Sequence, residues 1–214
     1  MQPKIIDSFG FYAILTDPVR GYEYVTQLLI DYTIAFVQLR MKNAVPERVL
    51  PIAQKMRKLT QGTSTKLIIN DYPEIAVQTG ADGVHIGQTD MPYSAVRTLV
   101  GNSAIIGIST HSPHQTAEAC KLQPDYIGIG PVFPTPTKVL SDPVLGITTM
   151  NTMLSLTTVP AVAIGGIALE TLPDVIRGGA RNFCMVRPIN SSREPERILK
   201  AILETYATTL KELT

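Results

Sequence analysis

At 214 residues with 44% apolar composition, the chain is large enough for one domain built around a sizeable core. Its 19 basic and 18 acidic residues nearly cancel, which excludes a polyanion-binding surface as the main business and gives nucleic acid no more than a local patch. The amino terminus MQPKIIDSFG lacks a hydrophobic core of signal-peptide length, and no later run reaches membrane-spanning length, so a cytoplasmic protein without membrane partners is expected. Cys120 and Cys184 have no metal-ligand spacing and sit in apolar segments, reading as buried thiols of a reducing compartment.

Taken in order, short β-rich runs alternate with amphipathic segments along the whole chain. The predicted strands are FYAILT (11–16), AFVQLR (35–40), KLIIND (66–71), GVHIG (83–87), AIIGIST (104–110), YIGIG (126–130), AVAIGG (161–166) and NFCMVR (182–187). Helices lie between them. Residues 22–32 place Tyr24, Leu28 and Leu29 on one face, and residues 46–59 place Val49, Leu50, Ala53, Met56 and Arg57 at helical spacing. Ser112 with Gln115, Asp142 before Pro143, and Ser191 with Glu194 match N-cap patterns, while Gly178-Gly179 suits a helix stop. Eight βα units with short connections predict a single-domain α/β fold over 1–214, the closed (β/α)₈ TIM barrel, in preference to an open sheet. If Val37, Leu39, Val84, Ile86, Ile127, Ile129, Val162 and Ile164 face the outer helices, then Gln38, Arg40, His85, Ser109, Gly128, Gly130, Ala163 and Gly165 face inward.

Catalytic groups of such barrels sit at the carboxyl ends of the strands. Gln38, Arg40 and Lys42 alternate off the second strand into the mouth. An inward Arg40 needs a partner, either an acid such as Asp71 or Asp17 or a phosphorylated ligand. The third strand ends Asn70-Asp71, and the loop after the fourth carries His85, Gln88 and Asp90. Two carboxylates leaving neighbouring strands at one level can share Mg²⁺, whose other positions go to water and phosphate oxygens. Three histidines without paired spacing argue against zinc, and His111 reads as a helix cap. Ser109 lies level with these loops. The stretch GPVFPTPTK (130–138), which leaves the sixth strand and opens a long connection before Asp142-Pro143, combines three prolines, the hydroxyls of Thr135 and Thr137, and Lys138, a composition suited to an active-site loop. Gly165-Gly166 and the residues from Arg187 to Ser192 follow the last two strands, where barrels often seat a phosphate. Two anionic ligands imply group transfer.

The motifs VQLRMK, LIINDYPEIAVQTGADGVHIGQTD, IIGISTH, DYIGIGPVFPTPTK and VPAVAIGGI, in this order and from about Tyr12 to the last helix, resemble the thiamine phosphate synthase family. The resemblance implies that a pyrimidine diphosphate is joined to a thiazole phosphate, giving thiamine phosphate and diphosphate after dissociative loss of the leaving group. It implies that Asp71 and Asp90 hold Mg²⁺, that Arg40, Lys42, Asn70, Ser109 and Lys138 hold the diphosphate, and that Gln38 and His85 border the pyrimidine. Thr135, Thr137, the backbone at Gly166 and the eighth loop would meet the thiazole phosphate. The family commonly has Val-Ser-Ala after the eighth strand, where this chain reads Val186-Arg187-Pro188. Arg187 is then a stronger phosphate ligand, or it turns outward to an acid, or the acceptor differs; the match between its fork and a phosphate favours the first. A thiazole tautomerase, a phosphoribosyl isomerase and a non-catalytic ligand-binding barrel are the competing readings, and a homo-oligomer is an expectation from the family alone.

Overall fold

The computed structural model describes residues 8–135 and 143–213. Eight parallel strands pair in chain order and close on themselves, β1 meeting β8, so the expected barrel is what the chain forms. The strands are β1 (Gly10–Leu15), β2 (Phe36–Leu39), β3 (Lys66–Asn70), β4 (Gly83–Ile86), β5 (Ile105–Thr110), β6 (Tyr126–Ile129), β7 (Ala161–Ala163) and β8 (Asn182–Phe183). Around them lie α1 (Tyr22–Asp31), α2 (Pro46–Thr60), α3 (Pro73–Thr79), α4 (Tyr93–Val100), α5 (Pro113–Lys121), α6 (Gly146–Leu156), α7 (Leu172–Arg177), α8 (Val186–Asn190) and α9 (Pro195–Lys211).

Alternation along each strand divides the core into two layers. Val37, Leu39, Val84, Ile86, Ile127 and Ile129 pack outward against helices, as the parity of their strands requires. A second, smaller cluster fills the barrel itself with Tyr12, Phe36, Ile68, Ile105, Tyr126, Val162 and Cys184. The seventh strand therefore has the opposite parity to the one expected: Val162 and Ile164 point inward and Ala163 outward, because Val162 is in register with the inward Gly128. Aromatic bulk in so narrow an interior needs neighbouring positions without side chains. A Cβ on Gly107 would sit 2.1 Å from Tyr126 Cζ, so this glycine is the space into which the ring fits.

The amino-terminal rim of the barrel is fastened by a repeated device. Asp82 Oδ2 accepts from Leu67 N and pairs with Arg57 of α2, and Asp125 Oδ2 accepts from Ile106 N and pairs with Arg97 of α4. Asn182 Oδ1, accepting from Phe9 N and Gly10 N, does the same at the β8–β1 seam. Each satisfies a strand N–H that the ladder leaves unpaired.

Several local expectations change. Strand β8 ends at Phe183, and Val186–Asn190 is a short helix rather than strand and loop, since Asn190 turns back to donate to Ile14 O and Val186 O. Tyr24 is exposed, and α1 buries Tyr22, Val25, Thr26, Leu28 and Leu29 instead. Ser112 caps α5 through Gln115 N, and Gly178 closes α7, as expected. Ser191 does not cap α9; Glu194 is its N-cap, and Ser192 Oγ accepts from Glu194 N. Asp142 lies outside the described residues, and α6 begins at Gly146 after Leu145. Cys184 is buried, whereas Cys120 is only partly so.

Candidate active site

The carboxyl ends of the strands open into a cavity of about 810 Å³. All the site residues expected from the sequence that fall within the described residues line it; Thr137 and Lys138 lie outside them. Strand β2 supplies the first wall. Gln38 is 1% exposed and spends its Nε2 on Tyr12 Oη at 3.0 Å, while its Oε1 is buried with no hydrogen-bond partner among the described residues. Arg40, half-buried above it, makes no ion pair there with Asp71, Asp17 or any other described acid. An inward guanidinium left without a carboxylate is a group waiting for an anionic ligand.

Lys42, next in the row, takes Asp71 instead, Nζ to Oδ2 at 2.7 Å. Asp71 follows β3 in the left-handed region (φ 64°), a conformation Asp tolerates better than most residues, and its N–H donates to His85 O. Asp90 leaves the adjacent β4 loop and is fixed by Gly87 N donating to Oδ2 at 2.7 Å. The two carboxyls stand close enough to shift each other's titration. Burial, then the contact with Asp90, push Asp71 above the usual carboxylate range against the pull of Lys42. Burial also acts to raise Asp90, but the Gly87 N–H, Asp71 and Lys42 outweigh it and hold Asp90 low. Two carboxylates in such contact share a proton or a cation. No group of three or more His, Cys, Asp or Glu side chains able to hold a metal occurs among the described residues. Asp71 and Asp90 could hold a cation, and as hard oxygen donors they suit Mg²⁺ better than zinc.

His85 is buried between two hydroxyls, Nδ1 to Tyr126 Oη at 2.9 Å and Nε2 to Ser109 Oγ at 2.8 Å. Burial lowers its pKa to about 4, with Arg40 and His111 acting in the same direction and Asp90 against them. The imidazole is therefore neutral at pH 7. Gln88 Nε2 donates to Ser109 O, and His111 ties the fifth loop to the Pro-rich segment through Nδ1 and Gly130 O at 2.6 Å, a link beyond the cap expected of it.

On the opposite side, Gly165 and Gly166 both have positive φ (98° and 66°), and a Cβ on Gly166 would meet Pro134 O at 2.5 Å. Only glycine lets the seventh loop lie this close under the Pro-rich segment. That segment is anchored by Val132 N to Ile164 O and Phe133 N to Gly165 O, each at 2.9 Å, and Val132 is fully buried. Thr135, Val186 and Arg187 complete the wall. Arg187 is exposed at the first turn of α8 and makes no ion pair among the described residues, so nothing there supports the outward acid pair. The sequence reading missed Tyr12 and Tyr126; their inward parity with Gln38 and Gly128 was the available signal.

Comparison with known proteins accords with this geometry. The family model for thiamine monophosphate synthase matches residues 12–189. A thiamine-phosphate synthase of Lawsonia intracellularis is 40% identical over 185 residues, covering 85% of each chain. That of Leptospira biflexa is 33% identical over 213 residues, covering 96% of this chain and all of its own. The structure of a thiamine phosphate pyrophosphorylase from Pyrococcus furiosus superposes with a TM-score of 0.85 at 24% identity, over 94% of this chain and 97% of that one, and shares the fold. A family match over most of the barrel, at identities above 30% along nearly the full length, means that this chain belongs to the thiamine monophosphate synthase family and is a transferase.

Proposed function

We propose that the chain joins 4-amino-5-hydroxymethyl-2-methylpyrimidine diphosphate to 4-methyl-5-(2-phosphoethyl)thiazole, forming thiamine phosphate and releasing diphosphate with Mg²⁺. The observation that carries this reading is a pairing of two groups in residues that line the cavity: Gln38 Oε1, a buried acceptor without a partner among the described residues, and Arg40, which makes no ion pair among them. A buried acceptor without a partner is costly, and the exocyclic amine of an aminopyrimidine supplies the missing donor. The diphosphate then lies toward Arg40, Lys42, Asn70 and Ser109. Lys138, outside the described residues, is the further cation that the family resemblance implies.

The C–O bond to the diphosphate breaks first, the bonding electrons leaving with oxygen, and the pyrimidine methylene cation is captured by the thiazole nitrogen. Negative charge grows on the departing group, so preorganised cations at Arg40 and Lys42 stabilise the transition state more than the ground state. Asp71 and Asp90 would hold Mg²⁺, which when bound supplies further positive charge against the diphosphate oxygens. Ser109, held by His85, donates a hydrogen bond to an oxygen of the same group. The thiazole phosphate sits across the cavity, on the backbone at Gly166, Thr135 and Arg187. The cavity walls and the Pro-rich segment exclude water, which would otherwise capture the cation. No side-chain nucleophile is required.

The test measures thiamine phosphate and diphosphate from the two substrates, with Mg²⁺ and with a chelator, on the wild type and on Asp90→Ala. Product requiring both substrates and metal, and falling at least about 100-fold in the variant, supports the reading. Folded wild type that forms none, or that isomerises the thiazole carboxylate phosphate alone, removes it in favour of a tautomerase.

A further inference from the structure

Beneath the cavity, five side chains form one continuous hydrogen-bond chain from Gln38 to Ser109, buried except at its Ser109 end. Gln38 Nε2 meets Tyr12 Oη at 3.0 Å, Tyr12 meets Tyr126 at 2.7 Å, Tyr126 meets His85 Nδ1 at 2.9 Å, and His85 Nε2 meets Ser109 Oγ at 2.8 Å. Gln38, His85 and Ser109 line the cavity, whereas the tyrosines, 2% and 1% exposed, do not. The direction of such a chain is set by its least adaptable member. An amide nitrogen can only donate, so Tyr12 accepts from Gln38 and must place its own proton on Tyr126. Tyr126 then places its proton on His85 Nδ1. That leaves the imidazole protonated at Nε2, donating to Ser109 Oγ, and frees the serine proton for the cavity.

The other protonation patterns conflict with this geometry. With a proton on Nδ1, whether as the other tautomer or as imidazolium, Tyr126 must donate to Tyr12, and the Tyr12 proton then faces the Gln38 N–H with no acceptor among the described residues. A stranded buried donor costs far more than a hydrogen bond contributes.

We propose that Tyr12 and Tyr126 are positioning residues that fix hydrogen-bond polarity at both ends of this chain, giving an acceptor at Gln38 Oε1 and a donor at Ser109 Oγ through the Nε2–H tautomer of His85. The acceptor selects a heteroaromatic ring bearing an N–H donor, and the donor selects an anionic oxygen. Neither end can change without reversing every link between them. The kinetic part of this inference rests on the transferase reading; the polarity of the chain does not.

The primary measurement is the ¹⁵N spectrum of the imidazoles in the ligand-free wild type between pH 6 and 8, with His85 assigned by loss of its signals in His85→Gln. An unprotonated Nδ1 and a protonated Nε2 are expected. A protonated Nδ1 overturns the proposal, because the chain then runs the other way and Gln38 presents its amine to the cavity. Because this uses the wild type, it does not depend on any variant folding. In the kinetic arm, Tyr12→Phe should raise KM for the pyrimidine diphosphate about tenfold while leaving KM for the thiazole phosphate within about twofold, the loss of one buried hydrogen bond. Tyr126→Phe should shift the His85 tautomer ratio and lower kcat about tenfold. Unchanged constants and an unchanged tautomer in folded Tyr126→Phe also overturn it. If the wild type makes no thiamine phosphate yet shows the Nε2–H tautomer, the reaction assigned above fails and the chain polarity stands.

Discussion

Gly107→Ala tests whether the barrel interior is built around Tyr126. The added Cβ would lie 2.1, 2.4 and 2.5 Å from three atoms of the phenol, about 1.3 Å short of ordinary contact at 3.4 Å. Tyr126 cannot retreat, because Tyr12, Phe36 and His85 surround its ring at centroid distances of 5.6, 6.5 and 5.5 Å. Overpacking of this kind costs ~1–3 kcal/mol, and displacement of the hydroxyl sacrifices two buried hydrogen bonds at about 1 kcal/mol each. The expected loss is therefore ~3–5 kcal/mol, a large share of the stability of an ordinary domain. Urea denaturation monitored by far-ultraviolet circular dichroism reads it as a fall in midpoint at constant m. Repeating the substitution in a Tyr126→Leu background should remove more than half of the cost, since the colliding ring is gone. A loss below about 1 kcal/mol, or an equal loss in both backgrounds, would refute the packing argument.

Asp90→Ala should leave the fold intact while the Mg²⁺ concentration needed for half-maximal activity rises at least about tenfold, as a metal titration of initial rate will show. Arg187→Ala should raise KM for the thiazole phosphate about tenfold and leave KM for the pyrimidine diphosphate unaltered, with Arg187→Lys recovering part of the loss; equal effects on both substrates would place Arg187 elsewhere. Burial lowers His85 from 6.5 to about 4, so the unfolded chain binds its proton first as pH falls. Stability from this group is complete above about pH 6.5 and is lost between there and about pH 4, by ~2 kcal/mol at pH 5. The wild type compared with His85→Gln in chelator, by urea denaturation at each pH, should show that difference, and a pH-independent gap contradicts it.

Much of the fold was legible because a parallel barrel writes itself locally. Each strand is a short β-rich run and each helix a separate amphipathic segment, so eight strands could be counted from period and breakers alone. The site was legible where side chains alternate off a strand end, as with Gln38, Arg40 and Lys42, or leave neighbouring strands together, as with Asp71 and Asp90. Parity failed at β7, where Val162 and Ile164 look like helix-facing residues by hydrophobicity and only register with Gly128 turns them inward. The end of β8 failed for a similar reason. CMVR is β-rich in isolation, yet Asn190 secures Val186–Asn190 as a helix through bonds to β1, 176 residues away.

The sequence by itself determined the number and order of the βα units, the strand ends that carry polar groups, and the family, since these depend on local pattern. Only the tertiary structure decided which aromatic rings fill the barrel, that Asp71 takes Lys42 and leaves Arg40 to the cavity, and how Gln38 is joined to Ser109. Those are contacts between strands distant in sequence, and their geometry depends on closure of the sheet, a constraint that no segment carries alone.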